Sequence, residues 1–155
     1  MNSQYAKLEK FIDSLGLHYF KGSEFTYYWD VVKNGVKNHI PDESLWPNIV
    51  KTLIVADRLR AITGSPLRIT SSYRSPAYNA ECPGASSGSF HKQFMALDLV
   101  PAKVSAEFLW SAARQLRGHT FTYPDGKTFV WHGGVGRYPT FCHIDCRGYD
   151  ADWHG

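Results

Sequence analysis

Residues 90–100 read Phe-His-Lys-Gln-Phe-Met-Ala-Leu-Asp-Leu-Val. The second half of that run is a strand with a charge set into it. Ala96 to Val100 is short and apolar, the pattern of a strand buried on both faces. Asp98 stands in its middle, between Leu97 and Leu99. A carboxylate inside an apolar strand is costly unless a counter-charge or a metal ion holds it. His91 opens the same segment.

The break recurs in Phe141-Cys-His-Ile-Asp-Cys-Arg147. Side chains alternate along a strand, so Phe141, His143, Asp145 and Arg147 share one face and Cys142, Ile144 and Cys146 the other. The second face suits a core. The first is either half-exposed, with an Asp145–Arg147 ion pair, or part of a polar cluster. Together with His91 and Asp98, His143 makes two imidazoles and one carboxylate, a usual ligand set for a catalytic zinc with one position left open. The plain alternative is an Asp98 paired with an arginine and two ordinary histidines. The alternation keeps Cys142 and Cys146 off this set. On a strand they stand about 13 Å apart, too far to bridge each other. With Cys82 the cysteine count is odd, so buried free thiols are expected.

Outward from these strands the chain alternates helix and sheet signals. Tyr5, Leu8, Phe11 and Ile12 have helical spacing over 4–14. The strongest helix spans 42–63. Asp42 or Ser44 caps it, Pro47 lies near its first turn, Ile49, Leu53, Ala56, Leu59 and Ile62 form one face, and Gly64 ends it. Leu67 to Tyr73 alternates as a strand, and 75–89, rich in Pro, Gly, Ser and Ala, reads as a long loop. Ser105 caps a helix to about Arg117 with Phe108, Leu109, Ala112 and Leu116 facing in. Strands at 119–123 and 127–131 flank the Pro124-Asp125-Gly126 turn. Gly133-Gly134 breaks the pattern, and 140–147 is the last strand. The sum is α+β: a small antiparallel sheet with flanking helices.

The 155 residues suffice for one domain. Hydrophobic residues are 43% and charged ones 20%, too apolar a balance for a disordered chain. The net charge of +3 is too mild for the basic stripe of a nucleic-acid binder. No apolar run is long enough to span a membrane. The first residues carry charges within an apolar pattern and show no cleavage site, so they read as an amphipathic helix instead of a secretion signal.

Several motifs resemble one family. Ser89-Phe-His91 followed by Ala96-Leu-Asp98, with six residues between His and Asp, resembles the first zinc motif of the D-alanyl-D-alanine metallopeptidases. That group includes vancomycin-resistance dipeptidases and phage L-alanyl-D-glutamate endolysins, with the hedgehog domain as a more distant relative. Ser71-Ser-Tyr-Arg-Ser-Pro76 is similar to the family's Ser-Gly-Tyr-Arg-Ser-Pro element, and Asn79 and the small-residue loop before Ser89 also match. Gly133-Gly-Val-Gly-Arg-Tyr-Pro139 leading to Phe141-Cys-His143-Ile-Asp145 resembles the subgroup whose second motif ends in His-any-Asp. The likeness covers about 42–148.

The resemblance implies a hedgehog-like peptidase fold over 1–155. Segment 1–40 would be a helical addition packed on the 42–148 core. It implies one zinc ion on His91, Asp98 and His143, and hydrolysis of peptidoglycan stem peptides by a monomer, as a carboxypeptidase or an endopeptidase. Arg74 maps onto the arginine that binds substrate oxygen and steadies the tetrahedral intermediate, though it could equally tie down the 75–89 loop. Ser72, Ser89 and Tyr138 join it as expected substrate-binding residues, Ser89 having a capping role as its alternative. Two departures matter. Phe94 stands where the family has Gly, and a ring there could narrow the cleft or alter the turn. Thr140 stands three residues before the last His, where many relatives carry an acid. Asp145 is then the expected catalytic carboxylate, as base or as orienter of His143. His132 is a further candidate for stabilising charge, with plain surface as its alternative. Without a signal peptide, a phage-encoded or otherwise delivered enzyme acting at the bacterial cell wall is expected. The rival expectations are a zinc-binding or virion structural module with little turnover, favoured by Phe94 and Thr140, and a zinc peptidase of other peptides.

Overall fold

Strand pairing brings the polar interruptions into one row. The computed structural model describes residues 3–25 and 29–155. Its main sheet has five strands. β3 (Leu67–Ser71), β4 (Ala96–Pro101), β7 (Gly134–Arg137), β8 (Cys142–Asp145) and β9 (Ala151–His154) lie in the order β3-β4-β8-β7-β9. Ser71 pairs with Asp98, Asp98 with His143, His143 with Gly136, and Gly136 with Trp153. Residues of one lateral row share a face, so Asp98, His143 and Trp153 emerge together. On the opposite face Leu97, Leu99, Val135, Cys142 and Ile144 are fully buried.

Among the described residues the α-helices are α1 (Ser3–Asp13), α2 (Val50–Thr63), α3 (Pro76–Ala80) and α4 (Ala106–Leu116). α4 packs on β4, β7 and β8, and α2 packs on α4. Ser105 accepts a bond from Phe108 N (3.0 Å) and caps α4 as expected. Ala106, Leu109, Ala113 and Leu116 then follow one helical face inward. Phe108 is one position off that face and is exposed, against expectation, as is Ile62 at the last turn of α2.

The helix expected from 42 divides in two. Glu43–Ile49 is a 3₁₀ helix, and regular α-helix begins at Val50. Pro47 lacks the N–H that an α-turn needs and its ring crowds the carbonyl four residues back, so the tighter winding persists until the chain has passed it. Gly64, at φ 62°, closes α2 in the left-handed region.

The antiparallel expectation is corrected at one edge. β9 runs parallel to β7, and neither strand was expected. The break expected at Gly133-Gly134 is where β7 begins, and 140–147 is not the last strand. Segment 1–40 is also not wholly helical. After α1 and a 3₁₀ turn at Gly22–Glu24 comes a hairpin of β1 (Val32–Lys33) and β2 (Val36–Lys37). Asn34 and Gly35, at φ 47° and 79°, supply its turn. Residues 1–2 and 26–28 of that segment lie outside the described ones. The remaining strands, β5 (Thr120–Thr122) and β6 (Thr128–Val130), form the expected second hairpin.

The N-terminal segment shares the main core, since Leu8, Ile12, Phe20, Phe25 and Trp29 belong to the same buried cluster as α2 and the sheet. Asp57 of α2 anchors it further by accepting bonds from the backbone N–H of His18, Tyr19 and Phe20.

Candidate metal centre

Three turns of backbone deliver the site. Ser89 accepts a bond from His91 N (3.3 Å) and caps the 3₁₀ helix Phe90–Gln93, which carries His91. Arg74 N donates to His91 O (3.0 Å), joining the Arg74 turn to that helix. The turn itself is gripped from the N-terminal segment: buried Asn38 donates to Tyr73 O and accepts from Ser75 N, both at 2.9 Å. Ser75 caps α3, a short helix inside the stretch expected to be loop, by accepting from Tyr78 N.

Each imidazole has one nitrogen engaged from behind and the other aimed at Asp98. His91 Nδ1 lies 2.7 Å from Ser72 O. A carbonyl only accepts, so Nδ1 carries the proton and Nε2 keeps its lone pair, 3.2 Å from Asp98 Oδ1. His143 Nε2 lies 2.8 Å from Asp145 Oδ2, and its Nδ1 lies 3.1 Å from the same Asp98 Oδ1. The three candidate donor atoms all fall within 4.8 Å of one another. Asp98 Oδ2 is held separately by Arg74 Nη2 at 3.2 Å.

All three residues are buried. Burial alone would raise the Asp98 carboxyl, but the imidazoles of His91 and His143 hold it well below the usual carboxylate range. Burial keeps His91 neutral against the pull of Asp98. His143 moves the other way, because its bonds to Asp145 and Asp98 outweigh its burial.

Asp145 is fully buried and saturated with donors. Gly134 N (2.8 Å) and Arg147 N (3.1 Å) reach Oδ1, and the Arg147 side chain grips both oxygens, with Nη2 at 2.7 Å from Oδ2. Burial opposes ionisation, but these bonds keep it a carboxylate. The glycines of β7 make room for this packing. A Cβ on Gly134 would lie 2.6 Å from Asp145 Oδ2, and one on Gly136 would lie 2.5 Å from the Trp153 ring.

The trio lies on the wall of a cavity of about 660 Å³. Arg74, Ser89 and Tyr138 line it as well, while Ser72 and Asp145 do not. Ser72 is buried, and its carbonyl, not its hydroxyl, meets His91. Arg74 borders the cavity, and its Nε and Nη1 tie to Ser71 Oγ and Asn79 Oδ1, the latter within the 75–89 stretch. His132 pairs with Asp150 on the surface, away from the cavity. Thr140 is exposed and also off the wall.

Phe94 corrects the expectation of a narrowed cleft. It adopts the left-handed conformation (φ 55°) that a glycine would take, yet its ring turns inward and is fully buried. It meets Phe25, Trp29 and Tyr73 edge-on. The ring fills core, not cavity.

Sequence reasoning missed Trp153, which packs against His143 at 4.9 Å between ring centroids and donates to Tyr138 OH (2.9 Å). It took Arg147 only as an ion-pair partner, whereas Arg147 also borders the cavity. Ala151-Asp-Trp-His154 alternates over only four residues, and the glycine at 136, which the Trp153 ring requires, hints at a bulky neighbour.

The donor chemistry suits a divalent ion. Two imidazole nitrogens and one carboxylate oxygen converge, each already oriented from behind, in the arrangement zinc sites use. Cys142 and Cys146 are free and lie on the other face. Comparison with known proteins agrees: no curated protein and no solved structure matches the chain, but a family model described as Peptidase M15 matches residues 18–145. That match covers most of the chain and includes all three converging side chains, so the protein belongs to the peptidase M15 family of zinc-dependent metallopeptidases.

Proposed function

We propose that this protein is a zinc peptidase that hydrolyses peptide bonds in peptidoglycan stem peptides. The carrying observation is the convergence of His91 Nε2, Asp98 Oδ1 and His143 Nδ1 beside a cavity. These atoms would hold the ion. When bound, zinc polarises a scissile carbonyl and activates water for attack on it. The wall-peptide assignment is supported by the motifs around Arg74, His91 and His143, which resemble those of wall-peptide hydrolases.

The chain's own residues do the rest. Arg74 spends three of its five N–H donors on Ser71, Asn79 and Asp98. The others can meet a substrate carboxylate or the developing oxyanion, for which a fixed guanidinium is well suited. Asp145 is the orienter of His143 and not the base, because it is sealed from the cavity and holds the proton at His143 Nε2. Apart from the ligands and the two arginines, Tyr138 and His154 are the ionisable side chains on the cavity wall among the described residues.

One observation favours a second reading, a zinc-binding module with little turnover. Among the described residues, no carboxylate side chain besides that of Asp98 lines the cavity. Elemental analysis of the purified protein, combined with digestion of defined muropeptides with and without chelator, separates the readings. Chelator-sensitive release of peptide products at one zinc per chain is expected. One zinc with no product at any pH favours the module. Chelator-sensitive cleavage confined to ordinary L-peptides reassigns the substrate. A protein that takes up no metal overturns all three.

A further inference from the structure

Arg147 does more than neutralise Asp145. Its guanidinium forks onto both oxygens of that carboxylate, with Nε 3.0 Å from Oδ1 and Nη2 2.7 Å from Oδ2. Its backbone N–H adds a third bond (3.1 Å). The guanidinium carbon of the same group lies over the Phe90 ring, 4.5 Å from its centroid, and over the Trp153 ring at 5.0 Å. Phe90 directly precedes His91, and Trp153 packs on His143. One side chain thus touches the carboxylate behind one imidazole, the ring covering that imidazole, and the residue next to the other. It joins the 3₁₀ helix of His91 to the end of β8 and to β9, two strands of the sheet that are not direct neighbours. The family match stops at residue 145, before Arg147 and Trp153.

We propose that Arg147 is a positioning residue that sets the geometry of the metal ligands. Resting on the metal-site reading above, it fixes Asp145 as a pure acceptor for His143 Nε2, so that Nδ1 faces the ion. By stacking, it also holds the spacing between the two histidines. A lysine keeps the charge but has neither the fork nor the flat face.

The test uses the full chain and three readouts: zinc affinity by chelator competition, the visible spectrum of the cobalt(II)-substituted protein, and the melting midpoint in chelator. Arg147→Lys is expected to lower zinc affinity by about 10- to 100-fold, as losses behind a ligand do, and to alter the cobalt bands. Asp145→Asn is expected to do the same, and the double variant to lose no more than the worse single one. Phe90→Leu, carried alongside in case substitution at 147 impairs folding, removes only the ring beneath the guanidinium and is expected to weaken zinc by about 2- to 5-fold. A merely structural Arg147 would lower the melting midpoint while leaving affinity and spectrum at the parent values, and that result overturns the proposal. A parent protein that binds no zinc overturns the metal reading itself, a failure visible before any variant is made.

Discussion

Phe94 is a residue in which two costs oppose each other. A non-glycine side chain in the left-handed region is strained by about 1–2 kcal/mol, yet this ring is fully buried against three aromatics. Removing a buried Phe side chain costs about 3–5 kcal/mol, so packing wins. Phe94→Gly should therefore destabilise the fold by about 2–4 kcal/mol in urea unfolding while leaving kcat/KM of the surviving native protein unchanged. A variant as stable as its parent would show that the ring contributes nothing. Ser72 poses the reverse case. Its Oγ is buried with no hydrogen-bond partner among the described residues, while its carbonyl orients His91. Ser72→Ala should change stability by less than about 1 kcal/mol and leave zinc affinity intact; a drop in kcat/KM would return the hydroxyl to substrate binding. At this scale the sequence was informative about the converging residues. A charged side chain flanked by leucines needs an explanation whatever the fold, and His91, Asp98 and His143 each break an apolar pattern. It was silent on which nitrogen of each histidine faces inward, because that depends on Ser72 O and Asp145, brought up from elsewhere.

Among the elements, those with a strong period were legible and those shaped by a neighbour were not. α1, α4, β3, β4 and the β5–β6 hairpin follow from apolar spacing, caps and turns. β7 reads as a break because it is half glycine, and those glycines exist for partners that cannot be seen along the chain: the Asp145–Arg147 pair beneath Gly134 and the Trp153 ring beneath Gly136. β9 alternates over only four residues, Ala151-Asp-Trp-His154, too short a signal to read alone, and it extends along the free edge that β7 offers. The β1–β2 hairpin, by contrast, was written plainly in Asn34-Gly35 and overshadowed by the helical pattern before it. Gly136→Ala tests the β7–β9 contact. The new methyl must displace the Trp153 ring, which breaks the bond to Tyr138 OH, and overpacking of this kind costs about 1–3 kcal/mol. Tryptophan fluorescence should shift with the loss of stability; an unshifted spectrum at parental stability would mean the ring yields freely.

For the whole molecule, metal binding and folding are linked. If the three donors converge only in the native state, free zinc at 100 times its Kd adds about 2.7 kcal/mol, on the order of 5–10 °C in Tm for a chain of this size. Calorimetry with and without chelator measures this, and a Tm indifferent to zinc would contradict a preformed site. The alkaline limb carries a second linkage. Burial raises Tyr73, Tyr78 and Cys146, and pushes Cys142 up to about 12. The native state holds these protons more tightly than the unfolded chain does. Stability is thus complete below the ordinary thiol value of 9.0 and falls as pH climbs from there through the raised values. The slope is at most about 1.4 kcal/mol per pH unit for each group. Urea midpoints at neutral pH and near pH 10 should differ in that sense, and equal midpoints would refute it. The alternation of β8 has one more effect. Its front presents nitrogen and oxygen, its back presents sulphur, and a single pleat divides them. Were the strand to pair with β4 one residue out of step, His143 would turn away from the cavity and Ile144 would come to that face with one thiol, Cys142 or Cys146 according to the direction of the slip, and the site would favour soft, thiol-seeking ions. The register of one short ladder therefore selects the element this protein can use.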